Sequence, residues 1–399
     1  MQNELPPMDR YAGRRAPVLF IQYALCEGGA GYYVSRLADA LADRYVVDVT
    51  AHVAPGGAAT RDLRSAAVVP MGLGLIAHAA VVGYRYIDAA MPLRPAHVRL
   101  LEALRVCCPF AKIGIRFHGE LPFIRGFNRE MLLGAARMAD VLVFHHEQTL
   151  GEICGWLGDD QVAGRAAIAP PGIDIERFRP GGTDPRAVVA YAGRFGLGPW
   201  PVVAMAGRPG PEKNWLDYIL IANELRRRFD GRVTCLAITG VQRGQPMGAY
   251  FRRMVQFNKD LGAPVRFTGF LPDWQNLLAG VDVLVHTSCS ESFCRVAAEA
   301  QAAGVPVVAL GVGGLKHVVV EHDVTGYLIE PQRGHRWNAR LTRRDRERFC
   351  TSVAALIGGH SRRQRMGEAA HQRASLLLDD TANSHWHAGM LSALLGDDQ

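Results

Sequence analysis

Short apolar runs alternate with longer amphipathic segments along most of the chain. The N-terminal example consists of the apolar run PVLFIQYAL, the glycine-rich turn EGGAG, the segment YYVSRLADALADR with helical period, and the apolar run YVVDVTAHV. Apolar runs of strand length separated by helices are typical of parallel sheets whose strands are buried on both faces. The pattern therefore predicts an α/β fold built on parallel sheets.

The apolar runs form two series. Before residue 195 they include VVGYRYI, AKIGIRFH, VLVFHH and AAIAPPG, and after it they are PVVAMAG, VTCLAITG, VRFTGF, VDVLVHTS and VPVVAL. A chain of 399 residues is long for one core, so we predict two doubly wound, Rossmann-like domains facing each other across a cleft. The Pro- and Gly-rich stretch FRPGGTDP and the helix after it place the boundary near residue 190. Ligands of such sheets bind at the carboxyl ends of the strands.

The charge balance is basic. Arginine supplies the net charge of +7 almost alone, because lysine occurs only at positions 112, 213, 259 and 316. Such a bias is typical of a GC-rich genome, so a lysine inside a motif is informative. A basic balance fits phosphate-bearing ligands or an anionic membrane surface and does not separate the two.

The sequence favours a cytoplasmic protein without a membrane span. The eight cysteines are scattered without a Cys-x-x-Cys pair, which indicates reduced thiols. The opening stretch MQNELPPMDRYAGRRAP carries charges and prolines where a signal peptide needs an apolar region. The longest uncharged run, 65–84, is interrupted by Pro70 and three glycines, so we predict a buried helix followed by a strand there.

An acidic helix in the second series is the first candidate site. In SESFCRVAAEAQAAGVPVVAL, residues 290–310, Glu291 falls in a strand-to-helix loop and Glu299 lies eight positions further along the helix. The unpaired N–H groups at a helix start bind anions, and a pyrophosphate there could be flanked by carboxylates that accept hydrogen bonds from sugar hydroxyls. The alternative is that Glu291 only complements the helix dipole and Glu299 is an exposed surface acid.

A cationic turn is the second candidate site. In MAGRPGPEKNW, residues 205–215, a strand ends at Gly207-Arg208 and a Pro/Gly turn brings Lys213 to the start of the next helix. Both cations can therefore reach one diphosphate, Arg208 as a planar fork and Lys213 as a point charge. The alternative is a solvated loop with ordinary surface cations.

Two other ligand classes are disfavoured. Read from Gly29, the EGGAG turn continues as Gly-Ala-Gly-Tyr-Tyr-Val, so Val34 stands where a dinucleotide fingerprint has its third glycine. The chain has no Asp-x-Asp, and we find no metal set among the histidines at 145, 146, 317, 385 and 387. We therefore predict no NAD, no metal ion and no other cofactor.

The motifs carry a family resemblance. GRPGPEKN, PPGIDIERFRP and the long block SESFCRVAAEAQAAGVPVVALGVGGLKHVV, followed by TGYLI, resemble the retaining glycosyltransferases of family 4 (glycosyl transferases group 1), which have the GT-B fold. The resemblance extends from about residue 17 to residue 330 in ordered blocks. It implies an acceptor-binding domain over 1–190, a nucleotide-sugar-binding domain over 191–378, and a final helix over 379–399 that crosses back to the N-terminal domain.

The resemblance also implies roles for four charged residues of the second series. Arg208 and Lys213 would contact the diphosphate of the donor. Glu291 would bind hydroxyls of the transferred sugar, and Glu299 would bind the ribose.

Further residues are implied around the donor. His118, at the end of the strand in IRFHGELPF, would reach the donor sugar, although a lone histidine at a strand end is also commonly a satisfied polar residue. The remaining donor-binding positions are Gly28 and Gly29 in the glycine loop, Phe270 and Leu271 beside the nucleobase, and Phe293 and Cys294 with backbone N–H groups near the sugar.

The chain departs from the family pattern at three places. Cys294 stands where the second glycine of Glu-Gly-Phe-Gly-Leu is usual, and its side chain narrows the sugar pocket. Arg295 follows it and adds a third cation near the phosphates. Lys316-His317 replaces the usual Pro-Glu after the glycine pair, which changes the charge near the donor.

The predicted activity is retaining transfer of a hexose-type sugar from a UDP- or GDP-sugar to an acceptor hydroxyl. The cations and helix amides would stabilise the charge that develops on the leaving diphosphate. No carboxylate is placed as a convincing nucleophile, so the resemblance favours front-face attack over double displacement. The alternatives are a nucleotide-sugar epimerase of GT-B fold and a non-catalytic nucleotide-sugar-binding protein.

The sequence does not identify the acceptor. A small molecule and a lipid-linked acceptor both fit, in bacterial natural-product or cell-envelope glycan biosynthesis, and we predict no nucleic acid partner. The stretch LPFIRGFNRE mixes apolar and basic residues, which suits peripheral contact at the inner face of the membrane and suits a cleft-lining loop equally. The oligomeric state is left open.

Overall fold

A computed structural model gives the fold of the protein. It describes residues 5–24, 29–53, 63, 65–90, 94–120, 128–158, 160–240, 248–332 and 339–396. Contacts divide the chain into two units: unit 1 comprises Met1–Gly172 and Asp380–Gln399, and unit 2 comprises Ile173–Asp379.

Unit 1 contains a seven-stranded parallel sheet. Its strands are Pro17–Ala24 (β1), Val46–Val53 (β2), Ala67–Val68 (β3), Tyr86–Ala90 (β4), Lys112–Arg116 (β5), Val141–Phe144 (β6) and Ala166–Ile168 (β7). The helices are Gly29–Leu41 (α1), Leu73–Val82 (α2), Pro95–Cys107 (α3), Arg129–Met138 (α4), Glu147–Leu157 (α5) and Asp160–Ala163 (α6). The strand order is β3-β2-β1-β4-β5-β6-β7, so the winding direction reverses between β1 and β4.

Unit 2 contains a six-stranded parallel sheet. After the helices Ile175–Phe178 (α7) and Pro185–Phe195 (α8), its strands are Val202–Ala206 (β8), Thr234–Ile238 (β9), Arg266–Phe267 (β10), Val283–His286 (β11), Val307–Leu310 (β12) and Gly326–Ile329 (β13). The other helices are Trp215–Arg228 (α9), Gly248–Asp260 (α10), Gln275–Leu278 (α11), Arg295–Ala302 (α12), Arg343–Gly358 (α13) and His360–Leu377 (α14). The order is β10-β9-β8-β11-β12-β13, with the reversal between β8 and β11.

The apolar runs of the sequence form these strands because both sheet faces are covered. In unit 1 one cluster of buried residues lies around Leu19, Ile87 and Ile113, and a second lies around Val18, Val47 and Val143. Consecutive residues of one strand, such as Val18 and Leu19, therefore enter different clusters, as expected for side chains that alternate between faces.

The helix Asp380–Leu395 (α15) packs in unit 1. Ala388 and Leu391 of α15 join the core that covers α1. The imidazole Nε2 of His387 lies 2.9 Å from Nη1 of Arg116 and 3.2 Å from the hydroxyl of Tyr33. Burial, together with the charge of Arg116, lowers the pKa of His387 to about 3, so this histidine is neutral and accepts from the guanidinium. The predicted return of the last helix to the N-terminal part of the chain is confirmed.

The division of the chain falls at Gly172/Ile173, earlier than the sequence-based boundary near residue 190. Ile173 and Phe178 are buried in the core of unit 2, and α8 packs against α11. The Pro/Gly-rich stretch thus lies within unit 2 because it connects two helices that both cover the same sheet.

Two strand expectations are also corrected. In VVGYRYI, residues 81 and 82 close α2, Gly83 ends it in the left-handed conformation, and the strand begins only at Tyr86. In VRFTGF, only Arg266 and Phe267 pair with β9. Among the described helices, none is both long and apolar enough to cross a membrane.

Close approach of β12 and β13 gives a test of this packing. A Cβ added at Gly326 would lie 2.1 Å from the carbonyl oxygen of Val307, whereas one added at Gly358 would meet nothing within 4 Å. We expect Gly326→Ala to lower the free energy of unfolding by at least about 1–3 kcal/mol, the usual cost of overpacking. Gly358→Ala is the matched control and should leave the urea midpoint unchanged or slightly raised. Equal midpoints for the two variants would contradict the β12–β13 register.

Candidate active site

The polar candidates of unit 2 follow β8 and β11, the two strands at which the winding direction reverses. β8 ends at Ala206 and is followed by the segment that carries Arg208 and Lys213. β11 ends at His286 and is followed by the loop that carries Glu291. Such a switch point is where open α/β sheets bind their ligands, because the loops on either side diverge there.

Asn214 connects the two loops. It adopts the left-handed conformation (φ 55°) between the 3-10 turn Pro211–Lys213 and α9, and it is buried. Its side-chain amide donates to the carbonyl oxygens of Thr287 (3.2 Å) and Ala339 (2.8 Å). The hydroxyl of Thr287 donates in return to the carbonyl oxygen of Lys213 at 2.8 Å. The turn after β8 is therefore fixed against the loop after β11.

The side chain of Lys213 meets the carboxylate of Glu291 inside this fixed pair of loops. Its ammonium donates to Oε1 of Glu291, and Nε2 of His286 lies 2.6 Å from the same oxygen. The side chains of Lys213 and Glu291 are only 14% and 11% exposed. An isolated charge at this depth would be costly, so each of the two ions depends on the other.

The surroundings of Lys213 and Glu291 keep both side chains charged. Burial would raise the pKa of Glu291, but the ammonium of Lys213 and the imidazole of His286 together hold it well below its usual range. Burial would lower the pKa of Lys213, but the surrounding anionic groups, Glu291 foremost, raise it. Both groups are therefore ionised at neutral pH. The interpretation of Lys213 as an ordinary surface cation is wrong, because its side chain is buried and paired.

Arg208 differs from Lys213 in its exposure. Its side chain is 51% exposed, and Nη2 lies 3.8 Å from Oε1 of Glu212. Its carbonyl oxygen accepts a hydrogen bond of 2.8 Å from the indole of Trp215, which fixes the backbone at the end of β8. The guanidinium can therefore reorient while its backbone stays in place.

Helix α12 begins directly after the loop with Glu291. Cys294 precedes it in the left-handed conformation (φ 77°), and both Phe293 and Cys294 are buried. Gly314 donates its N–H to the carbonyl oxygen of Glu291 at 2.7 Å, and a Cβ there would lie 2.4 Å from Cα of Phe293. Only glycine fits at 314, since the loop after β12 supports the backbone of the loop after β11.

Glu299 is buried rather than exposed, so the sequence alternative of a surface acid is wrong. One carboxylate oxygen accepts from Nε of Arg295 at 2.6 Å, and the other accepts from the indole N–H of Trp274 at 3.0 Å. Arg295, expected beside the phosphates, thus contacts Glu299 one helical turn further on.

The remaining predicted positions are distributed over both units. In unit 2, Phe270 is 43% exposed and Leu271 is buried. In unit 1, Gly29 is the first residue of α1, and Gly28 lies outside the described residues. His118 follows β5, and burial with the nearby charge of Arg116 lowers its pKa to about 3, so its imidazole is neutral.

The sequence motifs do not include His286, Trp274 or Asn214. A signal for His286 was present, since a histidine closes the strand in VDVLVHTS five residues before Glu291. Trp274 is distant from Glu299 in the chain, and the positive φ of Asn214 has no sequence signature apart from the tolerance of asparagine for that conformation.

One donor set in this site could hold a metal ion. His286, Glu291 and Cys294 each offer one ligand atom, and these atoms lie within 4.8 Å of one another. The ammonium of Lys213 contacts the carboxylate of this set and would repel a cation, so the set suits an uncharged or anionic neighbour better.

The part of the chain that carries this site resembles known proteins. Residues 198–373 match the family described as "Glycosyl transferases group 1". "D-inositol 3-phosphate glycosyltransferase" of Nocardia farcinica is 33% identical over 245 residues, which are 59% of this chain and 49% of that protein. A protein of the same name, numbered 2, from Catenulispora acidiphila is 33% identical over 248 residues, covering 59% and 52%. The chain thus spans about half the length of the curated relatives it matches.

Solved structures extend the likeness to nearly the whole fold. Anabaena Alr3699/HepE in complex with UDP and glucose has a TM-score of 0.73 at 22% identity, covering 94% of this chain and 99% of that one. Sucrose-phosphate synthase from Thermosynechococcus elongatus has a TM-score of 0.75 at 19% identity, covering 96% and 100%. The predicted GT-B fold class is confirmed, and residues 198–373 match the glycosyl transferases group 1 family.

Removal of the lysine tests the buried ion pair. Lys213→Met should lower the free energy of unfolding at neutral pH by about 3–5 kcal/mol, because it leaves a buried carboxylate without its cation. In the parent protein the lowered pKa of Glu291 contributes stability above its unfolded-state pKa, and this contribution is lost as the pH falls toward the folded-state value. The variant lacks the largest cause of that lowered pKa, the charge of Lys213, so its deficit relative to the parent protein should shrink in acid. Urea unfolding at several pH values measures both effects.

The controls for this experiment come from the chain itself. Lys316 pairs with Glu330 at 2.8 Å, but both side chains are exposed, so Lys316→Met should cost about 0–1 kcal/mol. Adding Glu291→Gln to Lys213→Met should restore part of the loss by removing the unpaired charge. If both lysine variants unfold alike at every pH, the pair is not buried as described.

Proposed function

We propose that the protein is a retaining glycosyltransferase that moves a hexose-type sugar from a UDP- or GDP-sugar to an acceptor hydroxyl. The observation that carries the proposal is the buried Lys213–Glu291 pair beside the start of α12, at the switch point of the unit 2 sheet. The match of residues 198–373 to the glycosyl transferases group 1 family, which spans both loops, supports it.

In this proposal the cations and the helix start bind the diphosphate. Arg208 presents an exposed guanidinium suited to bidentate phosphate contact, and the ammonium of Lys213 can contact a phosphate while it keeps Glu291 ionised. The backbone N–H groups at the start of α12 add an anion site that needs no side chain.

Glu291 binds hydroxyls of the transferred sugar. Its carboxylate is ionised and therefore accepts hydrogen bonds, and His286 and Lys213 restrict its orientation. Because it is paired with an ammonium, it is a weak nucleophile, and this favours attack by the acceptor from the face that the leaving group vacates. The departing phosphate oxygen then takes the acceptor proton.

Glu299 binds the ribose in this proposal. Both of its oxygens accept hydrogen bonds from protein donors, so it would receive ribose hydroxyls by releasing the guanidinium of Arg295. The released Arg295 would then be available to the phosphates. Trp274 holds the carboxylate in place during this exchange.

A donor panel tests the activity. With purified protein and UDP-, GDP-, ADP- and TDP-hexoses, we expect binding and slow hydrolysis of at least one uridine or guanosine donor, measured by calorimetry and release of nucleotide. UDP-glucose is tested first, because a structure of similar fold is described in complex with UDP and glucose. Lys213→Ala should reduce turnover by a factor of about 100 or more, since it removes a cation that stabilises the developing charge.

The control variant is Lys259→Ala, which removes an exposed lysine in the last turn of α10 and should leave turnover unchanged. Binding of donor without hydrolysis, or with isomerisation of the sugar, would instead indicate one of the alternatives, a non-catalytic binding protein or an epimerase. No binding of any nucleotide-sugar would contradict the proposal altogether.

Cys294 is proposed to restrict the donor sugar. Its backbone has a positive φ that glycine adopts without strain, and its buried side chain occupies space beside the loop of Glu291. Cys294→Gly should therefore accept larger sugars, such as N-acetylhexosamines, with a kcat/KM raised about tenfold relative to the parent protein. Cys289→Ser, at a buried thiol that donates to the carbonyl oxygen of Glu212, is the control and should keep the donor preference.

The acceptor stays open within this proposal. The curated relatives are named for D-inositol 3-phosphate, so this compound belongs in an acceptor screen with other small-molecule and lipid-linked hydroxyl compounds. Bacterial natural-product and cell-envelope glycan assembly are the settings in which such a transfer would occur, at a cytoplasmic location.

A further inference from the structure

Basic residues precede or begin most strands of the unit 1 sheet. They are Arg14 and Arg15 before β1, Arg44 before β2, Arg85 before β4, Lys112 at the start of β5 and Arg165 before β7. We call this set the basic edge. The acids at corresponding positions, among the described residues, are Asp43 before β2 and Asp140 before β6.

Backbone hydrogen bonds place these residues side by side. The N–H of Arg85 donates to Pro17 at 2.9 Å, and the N–H of Lys112 donates to the carbonyl of Arg85 at 2.9 Å. At the next strands, the backbone N–H of Asp140 donates to the carbonyl oxygen of Ile113 at 2.7 Å. The carbonyl oxygen of Arg165 accepts from the backbone N–H of Leu142 at 2.9 Å. Neighbouring strands are about 4.8 Å apart, so the cations before β2, β1, β4 and β5 form a row along four adjacent strands, and Arg165 lies beyond Asp140.

Large apolar side chains project at the same edge. Helices α2 and α3 run antiparallel to the strands, so their last residues lie at the strand starts. The thiol of Cys108 donates to the carbonyl of Ala79 at 3.2 Å, which brings the two helix ends together. Val81, Val106 and Phe110 are 70%, 80% and 87% exposed, and Pro109 is exposed beside them. We call these four residues the apolar tip.

The structure assigns the basic edge and the apolar tip to one ligand, the surface of an anionic lipid bilayer. Lipid phosphates would pair with the row of cations, while Phe110 and the two valines would enter the acyl boundary. Asp140 is already engaged by Lys112 and Arg105 at 3.3 Å each, so it does not oppose an anionic surface as a separate charge.

Other occupants fit less well. A nucleic acid would use the cations but would leave the exposed valines in water. A second copy of the chain, joined by two-fold symmetry through this edge, would bring two basic rows together. If the protein docks through the strand starts, the opposite edge of the same sheet faces away from the bilayer. Gly29 and His118 follow the strand ends at that opposite edge. This inference does not require the proposed sugar transfer.

Vesicle flotation with the full chain tests it. We expect binding to phosphatidylcholine vesicles that contain phosphatidylglycerol, weak binding to pure phosphatidylcholine, and loss of binding as salt is raised. The double variant Val106→Glu and Phe110→Glu should weaken binding to the anionic vesicles by a factor of about 25, taking about fivefold for each charge at the surface.

The matched control places two glutamates elsewhere. Leu376→Glu with Leu377→Glu changes the net charge equally, at exposed leucines of α14 in unit 2, and should bind vesicles like the parent protein. Thermal unfolding of both variants checks that they are folded. Equal loss in both double variants, or equal binding to both kinds of vesicle, would overturn the proposal. So would a dimer in sedimentation velocity that the Val106/Phe110 variant abolishes, since this would make the surface an interface between copies.

Discussion

The structure of unit 2 depends on one constraint, the burial of an ammonium and a carboxylate together at the point where the sheet reverses direction. Neither ion is tolerable at this depth alone, so the loops after β8 and β11 must stay in register. Asn214 ties one loop to the other, Gly314 supports the backbone below Glu291, and His286 supplies the second contact to its carboxylate. Several unusual local features therefore serve a single pair of charges.

The same constraint explains which parts of the chain could be predicted. Apolar runs with helices between them are sufficient to predict two parallel sheets. Strands that are buried on both faces are apolar at nearly every position, so each one is recognisable in the sequence. Lys213 and Glu291 could be assigned to one site from sequence alone, since each follows a strand and such residues converge at a sheet edge. The direct contact between the two side chains could not be predicted from the sequence. It depends on a loop in which Asn214 has a positive φ, and the hydrophobic pattern does not specify that conformation.

Other features escaped prediction for separate physical reasons. The partners of Glu299 come from a neighbouring helical turn and from Trp274, whose approach depends on tertiary packing. The boundary near residue 190 followed from a Pro/Gly-rich stretch, but such a stretch can connect two helices of one unit as readily as two units. Phe178 and Ile173 are buried in the core of unit 2, which places the boundary before them. A change in composition along the chain does not reveal such burial.

The path of the chain through the two units has a consequence for biosynthesis. Unit 2 is continuous in sequence, whereas unit 1 is completed by α15, which supplies Ala388 and Leu391 to its core and His387 to Arg116. A ribosome delivers the segment up to Gly172 before unit 2 and α15 only after it, so the nascent sheet of unit 1 has one incomplete hydrophobic face while unit 2 folds. Chaperone occupancy during translation should therefore concentrate on the first segment of unit 1 and persist until α15 emerges.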